Sequence, residues 1–133
     1  MDTQDLPRGQ GRRVLVVDDD AALASLVSED LLDLGYVVQT FTSAREALQA
    51  VVGEPAGFDA VVTDEAMPEM TGTVLIQQVR RLRPDMVAVL VSGCSGLDLA
   101  SRAREAGIDL ALPKPIALRE LAQGLARALA ARG

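Results

Sequence analysis

The sequence predicts an α/β domain built on a parallel sheet with helices on both faces. Two observations carry that reading. Five short apolar runs alternate with five helical patterns from Arg13 to the end of the chain, the signature of serial βα units. The first run, Val14–Val17, is also continuously apolar and short enough for a strand buried on both faces.

The elements follow in order. Residues 1–12 are polar, with Pro7, Gly9 and Gly11, and read as a flexible lead-in or linker. Val14–Val17 is the first strand. A helix then carries Leu23, Leu26, Val27, Leu31 and Leu34 at helical spacing, and Gly35 stops it. Tyr36–Phe41 is the second strand. Ser43-Ala-Arg-Glu46 follows as a capping box at a helix start. Phe58–Thr63 is the third strand and ends at Asp64. Gly72 opens a helix with Leu75, Ile76, Val79 and Leu82, which Pro84 ends. Met86–Val91 is the fourth strand, followed by an Ala-rich helix over about residues 95–106. Ile108–Leu112 is the fifth strand. The last helix presents Leu118, Leu121, Leu125 and Leu129 as an apolar stripe. We read 1–12 as lead-in and 13–131 as one domain.

Composition narrows the function. Hydrophobic residues are 49% of the 133 but aromatics only 2%, so aliphatic side chains must fill the core. One cysteine leaves no internal disulfide, and the absence of histidine removes histidine bases and ligands from this chain. A net charge of −6 argues against a nucleic-acid surface, which needs clustered cations. No apolar run nears the ~20 residues of a membrane span, and the N-terminus lacks an apolar signal core. The expectation is a cytoplasmic domain with no direct membrane insertion.

Asp18 and Asp19 follow strand one, Asp64 strand three, Ser92 strand four and Lys114 strand five. Ligands of doubly wound sheets gather at the carboxyl ends of strands, so these residues share one end of the sheet. Lys114 is the only lysine beside twelve arginines, and its compact charge is not interchangeable with a guanidinium. Clustered carboxylates need a cation to stay ionised together. Magnesium suits one or two carboxylates plus phosphate oxygens. Such groups stabilise in-line phosphoryl transfer, in which a carboxylate can itself be the nucleophile. Asp20 reads as a helix cap, Met67 and Met70 as packing residues, and Cys94 as a small neutral filler.

The blocks V-L-V-V-D-D, V-V-T-D-E-A-M-P-E-M-T-G, V-L-V-S-G and L-P-K-P-I, in that order and spacing, resemble the receiver domain of two-component response regulators over about residues 13–130. The resemblance implies a five-stranded (βα)5 flavodoxin-like fold with strand order 2-1-3-4-5. It makes Asp64 the phosphoacceptor, and Asp18, Asp19, Asp64 and the backbone carbonyl of Ala66 the ligands of magnesium (or manganese). Ser92 and Lys114 would contact the phosphoryl group, Gly93 would leave room beside it, and Pro115 would follow a cis peptide. The implied partner is a histidine kinase or histidine phosphotransfer domain, with a homodimer also within the family's range. Such a domain carries no kinase core and loses its phosphoryl group to water.

The chain departs from the family where an aromatic often stands three residues before the lysine. Here it is Ala111, and a methyl group cannot swing between buried and exposed positions. Movement of the Ser92–Gly96 loop and the following helix is the alternative route. The ending A-A-R-G brings no basic recognition helix, and the lead-in L-P-R-G-Q-G-R-R is similar to the junction before the receiver of a hybrid sensor histidine kinase. A stand-alone regulator and a phosphorylation-independent interaction module are the other settings.

Overall fold

The computed structural model describes residues 5–93 and 97–132. Strands β1 (Arg13–Val17), β2 (Val37–Phe41), β3 (Ala60–Asp64), β4 (Val87–Ser92) and β5 (Leu110–Pro113) alternate with helices α1 (Ala21–Asp33), α2 (Ala44–Gly53), α3 (Gly72–Leu82), α4 (Leu97–Ala106) and α5 (Leu118–Arg132). All pairings are parallel, in the order β2-β1-β3-β4-β5. The predicted architecture and strand order are therefore those observed. Cys94, Ser95 and Gly96, with the reading of Cys94 as filler, lie outside the described residues.

Alternation along the strands builds two cores. Val14, Val16, Val62 and Val89 face α1 and α5, packing with Leu31, Leu34, Leu121 and Leu125. Leu15, Val17, Val61 and Leu90 face the other way, onto Ala47, Val51, Leu75, Ile76 and Val79. Burying each such side chain stabilises the fold by roughly 1.5–3 kcal/mol relative to exposure. Gly124 lets α5 approach β5 closely, because a Cβ there would come within 2.5 Å of Leu110.

The apolar residues at helical spacing on α1 do not all face inward: Leu31 and Leu34 are fully buried, but Leu23 is 37% and Leu26 58% exposed. Ala24 and Ser28 are the buried residues on that helix besides Leu31. Small residues let α1 lie close to the sheet, and the larger leucines are turned outward. The lead-in is also less free than its composition suggests. Leu6 is buried in the α1/α5 core beside Tyr36. The Gly9 amide donates to the Leu34 carbonyl at 2.7 Å, and that of Gly11 to Gly35 at 2.9 Å. Gly9 lies against the Tyr36 ring with no space for a Cβ. One apolar residue and two amides thus strap residues 6–11 onto the turn after α1.

Candidate functional site

Register brings the site together. Val17 pairs with Thr63, so Asp18 and Asp64 emerge side by side from β1 and β3. Asp64 pairs with Val91, which puts Ser92 at the next position. Ser92 pairs with Pro113, and the Lys114 amide donates to the Ser92 carbonyl at 2.9 Å. The Lys114–Pro115 peptide is cis. Four strands thereby deliver Asp18, Asp64, Ser92 and Lys114 to one mouth.

Carboxylate oxygens of Asp18, Asp19 and Asp64 lie within 4.8 Å of one another. The Lys114 ammonium is 3.0 Å from an Asp64 oxygen and 3.9 Å from Asp18. Asp64, Asp18 and Ser92 are buried and Asp19 is exposed. Burial raises the Asp18 carboxyl above its ordinary value; the Asp20 amide opposes this, the Asp64 charge adds to it, and Lys114 works against it. Burial also lowers Lys114, but its hydrogen bond to Asp64 and the charges of all three aspartates outweigh that and hold it above its usual value. Three carboxylates against one ammonium leave a net negative mouth of hard oxygen donors. That donor set fits a magnesium-sized divalent ion.

Ala66, two residues past Asp64, is exposed at the start of the β3–α3 loop. A Cβ added to Gly93 would meet no described atom within 4 Å. Asp20 does cap α1, its carboxylate accepting from the amides of Ala22 and Leu23. Met67 and Met70 pack at the border of the α2/α3 core, as does Ala111. Beside the mouth, Leu23, Leu26 and Ile116 line a groove of about 480 Å³ that also takes in Asp18 and Lys114.

The profile of the response regulator receiver domain matches residues 14–126. The chain belongs to the response regulator receiver family. It is 36% identical over 116 residues to the DNA-binding transcriptional regulator NtrC of Azospirillum brasilense, a match covering 87% of this chain and 24% of that protein. The chain spans less than half the length of the first curated relatives it matches. Among solved structures, a receiver domain protein from Clostridium thermocellum aligns with TM-score 0.84 and 26% identity, covering 91% of this chain and 96% of that one. The BeF3-activated DrrB receiver domain aligns with TM-score 0.77 and 28% identity, covering 90% and 98%. The receiver fold and its two-component setting follow from these matches. No described helix is long and apolar enough to cross a membrane.

Sequence reasoning missed how α3 is docked. Thr71 is its cap, accepting from the Val74 amide, and Glu65, adjacent to Asp64, is buried against the helix start. A threonine before the Gly72 helix start was a legible signal for the cap. The Glu65 contact joins residues eight apart and has no local pattern.

Proposed function

We propose that Asp64 accepts a phosphoryl group from a phosphohistidine on a histidine kinase or histidine phosphotransfer domain. The Asp64 oxygen forms the new P–O bond as the P–N bond of the donor breaks; water later hydrolyses the acyl phosphate. The observation that carries this reading is the ammonium of Lys114 at 3.0 Å from a buried Asp64 oxygen, inside a cluster of three carboxylates. A structural salt bridge needs one partner for Lys114, whereas this lysine faces three acids that a single charge does not balance.

Asp18, Asp19, Asp64 and the Ala66 carbonyl would hold magnesium or manganese, which when bound neutralises charge on the phosphoryl oxygens. Lys114 is placed to share that charge and to keep the phosphoryl oxygens oriented. The Ser92 hydroxyl is the switch donor, and the bare backbone of Gly93 leaves space for the group. With Ala111 in place of an aromatic, the response passes from Ser92 towards α4 rather than through a rotating ring. The donor must bring its imidazole to Asp64, so it covers the mouth and the exposed Leu23 and Leu26 beside it, next to the partly buried Ile116. A phosphorylation-independent module has no use for this complete charge set.

For the larger protein, the match to DNA-binding transcriptional regulators favours a response regulator over the hybrid kinase that the lead-in suggested. The acidic charge then keeps the receiver itself off DNA and leaves any DNA contact to another domain. The test is phosphorylation by a small-molecule phosphodonor with magnesium, read by intact mass. One hydroxylamine-labile phosphoryl group is expected on the native chain and none on Asp64→Asn. Equal labelling of both would contradict the assignment.

A further inference from the structure

Asp64 is followed by a second acidic residue, and Glu65 is not one of the three clustered carboxylates. It stays on the sheet, its amide donating to the Val91 carbonyl at 2.8 Å. Its side chain is turned to the start of α3. One carboxylate oxygen accepts from the Thr73 amide at 2.8 Å, and the Thr73 hydroxyl lies 3.0 and 2.9 Å from the two oxygens. The Glu65 carbonyl accepts from the Gly72 amide at 3.0 Å. With Thr71 accepting from Val74, the first three amides of α3 are all satisfied, two of them by Glu65. The partial positive charge of a helix start also stabilises the carboxylate there. A fourth acid thus sits one residue from Asp64 with its carboxylate bonded to the start of α3, outside the clustered three.

The consequence falls on the loop between them. Residues 66–71 leave and return through a neck that Glu65 and Thr73 close. Gly72 is pressed so near the Asp64 carbonyl that a Cβ would lie 2.3 Å from it. At the loop's outer side, Glu69 accepts from the Ser43 hydroxyl at 2.7 Å and lies 3.8 Å from Arg45. Ala66, immediately after Glu65, is the first residue of the loop that this neck closes.

We infer that Glu65 is a positioning residue: clamped to Thr73, it fixes the Ala66 carbonyl relative to Asp64 and so sets the affinity of the mouth for a divalent cation. The inference rests on the phosphoacceptor reading of the site. Groups that orient metal ligands are worth roughly 10–100-fold in affinity when removed.

The test is manganese binding to the full chain, read from the free-ion electron paramagnetic resonance signal at a temperature where circular dichroism shows each variant folded. Glu65→Ala is expected to weaken manganese about tenfold. Thr73→Val, which keeps the amide but removes the hydroxyl, is expected to weaken it about threefold and stands in if Glu65→Ala does not fold. A residue that merely stabilises α3 would lower the unfolding midpoint and leave manganese affinity unchanged, so native-like binding in the folded variants overturns the inference. If the native chain binds no manganese, the reading of the site fails as well; if native and variants bind alike, only the role of Glu65 does.

Discussion

At the amino end of the sheet, Asp109 is enclosed by cations; at the carboxyl end, Lys114 faces three carboxylates. Asp109 accepts from Arg80 at 2.7 Å, from two nitrogens of Arg132 at 3.1 and 3.0 Å, and from the Ala88 amide at 2.8 Å. Arg80 also donates to the carbonyls of Met86 and Gly107. Every lone pair there has a donor, and the charges oppose one another at close range. At the other end the same fold concentrates like charge and holds Asp18 above its ordinary value by burial. A carboxylate whose every lone pair is met by two guanidiniums and an amide is satisfied where it stands. Three clustered carboxylates around one ammonium repel one another until something arrives to balance them, which is the behaviour of a binding site.

The comparison breaks most visibly at Asp109. Asp109→Ala strands a half-buried Arg80 and the Ala88 amide, and is expected to cost about 3 kcal/mol in urea unfolding. Added magnesium should not restore it. A loss below about 1 kcal/mol would show that the amino end is ordinary surface pairing.

Leu6→Ala tests whether the strap belongs to that stable end. Its side chain is buried beside Tyr36, and the expected cost is about 2 kcal/mol, near the low end for core leucines. An unchanged denaturation midpoint would show that residues 6–11 are not held by Leu6.

Smaller effects of opposite sign are expected in the mouth. Lys114→Ala leaves the fold intact but should lower metal-free stability by roughly 1 kcal/mol, and saturating magnesium should restore it. Asp18→Asn should do the reverse, raising metal-free stability by on the order of 1 kcal/mol while weakening magnesium-dependent stabilisation. The pH sign follows from the raised Asp18 value. Between the ordinary 3.8 and that raised value, the folded state holds a proton that the unfolded chain has lost. The Asp18 contribution to stability therefore falls as pH rises through that window. Metal-free melts of native and Asp18→Asn chains across the acid range should diverge there and run parallel above it.

Much of this was legible in the sequence because two periodicities and a few chain-end residues determine it. Five βα units in series implied a sheet with helices on both faces, and the residues following the strands implied one shared mouth. α1 was harder: apolar residues occur all round it, so spacing alone did not separate Ala24 and Ser28, which face inward, from Leu23 and Leu26, which do not. The Ser43 cap was legible, and its hydroxyl does accept from the Glu46 amide. Its second bond, to Glu69, is tertiary. The strap and the Glu65 clamp stayed hidden for the same reason, since each is made between segments that no local pattern connects. Polar composition spoke for a loose lead-in, and a single buried leucine outweighed it.

Whether the unbalanced mouth is a phosphoryl site centred on Asp64 is read most simply from an amide NMR titration of the native chain with magnesium and beryllofluoride, the phosphoryl mimic. Saturable shifts centred on Asp64, Ser92 and Lys114 are expected, requiring both components and vanishing in Asp64→Asn. No shifts at saturating ligand, or the same shifts in Asp64→Asn, would contradict that assignment.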